Sequence, residues 1–108
     1  MRRSSVIPID RTIHEPTRLG IIMYLARCGG KAPFVDVRRE LDIKHSGALS
    51  VHSRKLEDAG IIEADKVFVG RTPRTWLVLT NQGRQALALY KAALDAVTDV
   101  TLLEESPG

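Results

Sequence analysis

In the run Ser46-Gly47-Ala48-Leu49-Ser50-Val51-His52-Ser53-Arg54-Lys55-Leu56-Glu57-Asp58-Ala59-Gly60, Leu49 and Leu56 stand two helical turns apart and Ala59 extends the stripe. Gly60 supplies the left-handed stop that ends a helix. The result is a helix with one apolar seam, preceded by a short polar turn, Leu41-Asp42-Ile43-Lys44-His45. Opposite the seam fall Gly47, Ser50, Val51 and Arg54, with Lys55 alongside. Such a face can lie flat in a groove. A major groove about 12 Å wide admits a helix, short side chains let the backbone approach base edges, and Arg and Lys reach outward to guanine or phosphate. An ordinary amphipathic surface helix has the same pattern, and Glu57 and Asp58 fit that reading as well.

The next segment narrows the choice. Ile61-Ile62-Glu63 opens an extended run through Val67-Phe68-Val69, a polar bend follows at Gly70-Arg71-Thr72-Pro73-Arg74, and Thr75-Trp76-Leu77-Val78-Leu79 is β-branched, aromatic and apolar. This spells a hairpin with a basic tip. The helix, Leu56-Glu57-Asp58-Ala59-Gly60-Ile61-Ile62, the first strand, Gly70-Arg71-Thr72-Pro73-Arg74-Thr75, the second strand and Leu79-Thr80-Asn81-Gln82-Gly83-Arg84 together resemble the winged-helix DNA-binding regulators of the MarR and ArsR type. Ile13-His14-Glu15-Pro16-Thr17-Arg18-Leu19 looks like the start of that domain, so the likeness runs from about Ile9 to Val97. Several motifs in the right order are more specific than any one alone.

Length and charge agree with a small polyanion binder. A chain of 108 residues makes one domain able to bury roughly two thirds of its unfolded surface. Its one cysteine excludes an internal disulfide. The formal net charge is +3, but residues 92–108 hold Asp95, Asp99, Glu104 and Glu105 and no Lys or Arg, which concentrates the basic groups in the body. A basic body attracts DNA, RNA or an acidic protein surface alike. No apolar run approaches a membrane span, and Val6-Ile7-Pro8-Ile9 is too short for a signal-peptide core, so the expectation is a soluble cytoplasmic protein.

Along the chain, residues 1–8 read as a flexible basic arm and Ile9 to His14 as a short helix with Ile9 and Ile13 on one face. Pro16 suits the first position of a new helix, with Glu15 at the positive end of its dipole. Leu19, Ile22, Met23 and Ala26 form its stripe as far as Cys28, Gly29-Gly30 ends it, and Gly20 marks a close helix contact. Lys31-Ala32-Pro33 can form a minimal edge strand. Phe34, Val37, Leu41 and Ile43 then give the helix that precedes the groove-facing one, with Arg38 and Arg39 as either phosphate contacts or a solvated face. Thr80 is a reasonable N-cap for a last helix over 80–100. That helix carries two adjoining apolar rows: Leu87, Tyr90, Leu94 and Val97, and Ala86, Leu89, Ala93, Ala96 and Val100. One row can pack on the chain's own core and the other on a second copy. Residues 104–108 read as an acidic tail after a single domain over 9–103.

Candidate chemistry is sparse. Cys28 reads as a buried inert thiol, and the paired cysteines of the metal-sensing branch of the resembling family are absent. His14, His45 and His52 are too dispersed for a metal signature. His52 matches the histidine of the family pattern Leu-Ser-x-His and suits either phosphate contact or packing. The family carries an apolar residue where this chain has Ser53, whose hydroxyl is expected to bond back to the Leu49 carbonyl. No nucleophile–base pair, phosphate loop or HExxH pattern stands out, so no enzymatic role is expected.

The resemblance thus implies a winged helix-turn-helix, mainly α with a small β-hairpin wing and a C-terminal dimerisation helix. It implies a homodimeric regulator, most often a repressor, on an inverted-repeat site in double-stranded DNA, without cofactor or metal. The contact set would be Lys44, His45, Ser46, Gly47, Ser50, Val51, Arg54 and Lys55 in the major groove, with Arg71, Thr72 and Arg74 of the wing at an adjacent minor groove. Leu87, Tyr90, Leu94 and Val97, with Ile9 and Ile13, would form the dimer contact. The rival reading is a winged-helix protein-interaction module without DNA binding. Single-strand or RNA binding is weakened by aromatics placed for packing. A small-molecule effector is left open.

Overall fold

The computed structural model describes residues 9–105, with side chains through 97. The expected arm at 1–8 and the final residues 106–108 lie outside that range. In chain order the elements are α1 (Pro16–Arg27), β1 (Lys31–Pro33), α2 (Phe34–Glu40), α3 (Ser46–Asp58), β2 (Ile62–Val69), β3 (Thr72–Leu79) and α4 (Asn81–Glu105).

One backbone device ends each of the first three helices. A residue with positive φ follows the C-cap: Gly29 (81°), Asp42 (54°) and Gly60 (78°). The N–H of the residue after it reaches back five positions, from Gly30 to the Leu25 carbonyl, from Ile43 to Arg38 and from Ile61 to Leu56. These paired bonds satisfy carbonyls that a bare helix end leaves orphaned. Two of the stops use glycine; Asp42 takes the left-handed region because a short polar side chain tolerates it.

At the N-terminus Asp10 builds a single capped turn where a short helix was expected. Its Oδ1 accepts from the N–H groups of Thr12 (2.9 Å) and Ile13 (3.4 Å), and its carbonyl accepts from His14 (2.8 Å). Pro16 forces the residue before it out of the helical region, and Glu15 is extended at φ −154°, ψ 130°. Helix α1 therefore starts afresh, with Glu15 Oε1 accepting from the Arg18 N–H at 2.7 Å. Gly20 makes the close contact its position implied: a Cβ there would lie 3.0 Å from Leu41 of the α2 C-cap.

The sheet runs β1-β3-β2, antiparallel throughout. Val69 pairs with Thr72, so the hairpin closes through Gly70 and Arg71 alone, and Thr72, Pro73 and Arg74 belong to β3 rather than to a five-residue bend. Gly70 at φ 65° supplies the positive φ that a two-residue hairpin loop requires. Strand β1 pairs only with Trp76, Leu77 and Val78, which leaves β3 an edge at Pro73, where a missing N–H is tolerated. Beyond Ile62 and Leu77 every residue of the hairpin from Glu63 to Arg74 is exposed, and only Thr75 and Trp76 are partly covered, so it projects roughly 20 Å from the body at the usual rise per residue.

The core is Ile13, Ile21, Ile22, Leu25, Val37, Leu49, Leu56, Ile61, Ile62, Leu77, Leu79 and Tyr90, with Ala32 of β1. Helix α4 is locked onto it by its first turn. The Thr80 hydroxyl accepts from the Gly83 N–H (2.9 Å), and its single proton is shared between the carbonyls of Gly60 (2.7 Å) and Ile61 (3.0 Å). A Cβ at Gly83 would run into the Ile61 carbonyl oxygen, so only glycine fits there. This anchor sets the rotation of α4. It turns the row of Leu87, Tyr90 and Leu94 onto the chain's own core, and Tyr90 is buried with its hydroxyl 2.8 Å from His14 Nδ1. Tyr90 and the fully buried Ile13 are thus spent inside one chain, where a surface for a second copy was expected. The helix also continues to Glu105, past the expected limit at 100.

Candidate nucleic-acid interface

Leu49, Ser53 and Leu56 are the buried residues of α3 and hold it against the core. On the opposite side Gly47, Ser50, Val51, Arg54, Lys55 and Asp58 are exposed, and Lys44, His45 and Ser46 ahead of them are exposed too. The face anticipated from periodicity is therefore presented as one surface. Val51 is 57% exposed, an apolar side chain in the middle of a polar face. Arg54 carries only a loose contact to Glu57, Nε to Oε1 at 4.0 Å. His45 caps α3 without a side-chain bond, which leaves first-turn N–H groups for water or a phosphate oxygen.

The turn ahead of α3 is held by an arginine. Arg38 donates from Nε to the Ile43 carbonyl (3.0 Å) and from Nη2 to the Lys44 carbonyl (2.6 Å), so its guanidinium is a clamp on the turn rather than a phosphate contact. Arg39 sits 3.3 Å from Asp36, on the solvated face. Arg18 plays a similar part at the far flank. It donates from Nε to the Thr12 carbonyl (2.6 Å), and its Nη1 lies 3.1 Å from His52 Nδ1, with Glu15 3.7 Å from the same nitrogen. His52 is thereby a packing and positioning residue joining α3 to α1. Arg11 lines the same shallow depression as Lys55 and Asp58, a basic residue on this flank that no local pattern in the sequence announces.

Between α3 and the hairpin lies an open cleft of about 330 Å³, lined by Ser46, Ser50, Ser53, Arg54 and Glu57 on one wall and Ala64, Thr75 and Leu77 on the other. Ser53 is 5% exposed and its Oγ has no hydrogen-bond partner; the expected bond to the Leu49 carbonyl does not form.

On the hairpin, antiparallel register fixes which residues share a face. Ile62, Ala64, Lys66 and Phe68, with Pro73, Thr75, Leu77 and Leu79 opposite them, form the side turned toward α3. Glu63, Asp65, Val67 and Val69, with Thr72, Arg74, Trp76 and Val78, form the outer side. Arg71 stands at the turn. Arg71, Thr72 and Arg74 are all exposed, as expected, but Arg74 lies on the outer face and Lys66 on the inner one. Lys66 and Phe68 were missed in the sequence; counting by twos from the buried Ile62 finds both.

Two other sequence readings change. Cys28 is exposed at the C-cap of α1, because the stop at Gly29 lifts it off the buried stripe. The Cys28 side chain one turn on from Tyr24 raises that phenol above its ordinary pKa. On α4, Leu89 is 72% exposed and Ala96 is exposed too, whereas Tyr90 is buried, so the outward apolar residues include Leu89 rather than Tyr90. Among the described residues no three His, Cys, Asp or Glu side chains cluster as metal ligands, and no helix is long and apolar enough to cross a membrane.

Comparison with known proteins matches this geometry. Residues 17–98 fit the family described as winged helix DNA-binding domain. A transcriptional regulator homologue from Pyrococcus horikoshii OT3 shares 34% identity over 85% of this chain and 89% of its own, with a TM-score of 0.78. The fold is also that of a PadR-family transcriptional regulator from Eggerthella lenta DSM 2243 (21% identity, 84% of this chain and 88% of that one, TM-score 0.63). A MarR-family protein from Enterococcus faecalis V583 shares it as well (21%, 95% and 93%, TM-score 0.58). No curated protein gives a significant match.

Proposed function

Because the chain belongs to the winged helix DNA-binding domain family, we propose that it is a sequence-specific transcriptional regulator that binds duplex DNA as a homodimer and represses by occupying promoter DNA. The observation that carries this reading is the joint presentation of the exposed α3 face and a projecting hairpin with Arg71 at its turn. With α3 in a major groove, Gly47 and Ser50 let the backbone approach, Arg54 reaches a guanine edge, and Val51 meets a thymine methyl. Lys44, His45 and Lys55 flank these contacts. The duplex strand that separates one groove from the next passes over the cleft, and the hairpin enters the adjacent minor groove, where narrowing concentrates negative potential.

Dimerisation is proposed through α4. Leu89, with Ala93 and Ala96 at its helical spacing, supplies an outward row, Ile9 lines the same shallow depression as Leu89, and Leu87, Leu94 and Val97 border the row. Such a regulator would act in the cytoplasm, in contact with the chromosome.

The test is Arg54→Ala against a library of duplexes. If Arg54 is bidentate to guanine, affinity for the selected site falls by about 1–3 kcal/mol and preference relaxes at one position of each half-site. A uniform loss over all sequences makes Arg54 a phosphate contact only. No measurable duplex binding by the unaltered protein, with salt-insensitive binding to a protein instead, replaces this reading by that of a protein-interaction module.

A further inference from the structure

Phe68 is the largest exposed apolar side chain on the projecting hairpin, and at 64% it is more exposed than any other large apolar side chain among the described residues except Leu89. Nothing in the fold explains it. The sheet's core ends at Ile62 and Leu77, and the cleft against α3 ends at Ala64 and Thr75, so Phe68 contributes to neither. Its cross-strand partner on the same face is Pro73, and Gly70 and Arg71 close the loop just beyond. Gly70 has no side chain and nothing near it, which keeps the tip narrow.

Charge on the hairpin is segregated by the strand period. Glu63 and Asp65 both fall on the outer side, whereas the side turned toward α3 carries Ala64, Lys66, Phe68, Pro73 and Thr75 and no acid. Any duplex that lies against α3 also lies against this side. The surface it meets is an aromatic and a proline between two cations, Lys66 and Arg71. Glu57, the nearest acid on α3, lines the cleft at its C-terminal half, well back from the tip. Apolar side chains set among cations at the minor groove act as wedges that part a base step and kink the duplex.

From this arrangement we infer that Phe68, backed by Pro73, wedges into the minor groove, bends the DNA and favours a site with a flexible pyrimidine–purine step beneath the hairpin. The inference rests on the DNA-binding reading above and adds shape readout to it. The cost of unstacking depends on the step being parted, so a residue with no hydrogen-bonding group can still select sequence.

The experiment uses the full chain and an end-labelled duplex selected with it, with bend read by energy transfer and affinity by titration. Phe68→Ser is expected to weaken binding about tenfold and reduce the bend, and Phe68→Leu to retain both. The salt dependence should not change, because no phosphate contact is lost. Replacing the flexible step by a stiff A-tract should weaken the unaltered protein and leave Phe68→Ser indifferent. Binding and bending by Phe68→Ser equal to the unaltered protein overturn the wedge. So does a drop in its sedimenting mass, which would assign the tip to self-association. Failure of the unaltered protein to bind any duplex overturns the functional reading itself, a distinguishable outcome. Phe68 is exposed, so its variants should keep the parent's thermal stability.

Discussion

Ser53→Ala should make this protein more stable. The hydroxyl is 5% exposed, on the buried seam of α3, and its oxygen has no partner. A buried hydroxyl that surrendered water without gaining a bond costs roughly 1–3 kcal/mol. Alanine removes one atom, keeps the Cβ that packs beside Leu49 and Leu56, and opens almost no cavity. Its higher helix propensity adds up to about 0.5 kcal/mol. In a domain of this size each kcal/mol moves the melting temperature by about 4 °C, so the midpoint should rise by at least about that much. The assay is thermal unfolding followed by circular dichroism at one fixed protein concentration, because self-association makes the midpoint concentration-dependent. DNA affinity should change less than twofold, since the side chain lies beneath the exposed face. An unchanged or lower midpoint would refute the reasoning by showing that the hydroxyl is paired in solution.

Gly83→Ala should cost about 1–3 kcal/mol in urea unfolding, because the added methyl meets the Ile61 carbonyl and lies 2.9 Å from Leu79; a neutral result would mean that α4 is not anchored through its first turn. Arg71→Ala should weaken binding to all duplexes alike and reduce the slope of log affinity against log salt by about one, as loss of a single phosphate contact requires. A changed base preference with an unchanged slope would assign Arg71 to base readout instead.

The helices were legible where the sequence carried both a period and a stop. Leu49 and Leu56 with Gly60 locate α3, and Pro16 with Gly29 locates α1, because those signals are local. The hairpin was legible in kind but not in extent. Thr72, Pro73 and Arg74 have turn chemistry, yet they pair with Val69, Phe68 and Val67, because the positive φ of Gly70 closes the loop in two residues. What escaped was anything set by long-range contact. The rotation of α4 depends on Thr80 and Gly83 meeting Gly60 and Ile61, some twenty positions away, so the choice of inward row could not be read from two equivalent stripes. The approach of Arg18 to His52 is of the same kind. Cys28 was misplaced for a smaller reason: the stripe of α1 ends one residue sooner than its apolar content suggests.

The central claim is that two copies place α3 in successive major grooves, and spacing tests it most directly. Half-site centres should lie about one helical turn apart, roughly 34 Å or 10 base pairs. Affinity should be measured on the selected site and on the same site with about 5 extra base pairs between its halves, which turn the second groove to the far side of the duplex. The account predicts a fall toward non-specific binding, a loss of several kcal/mol. Equal affinity at both spacings, or full affinity for one isolated half-site, would contradict it.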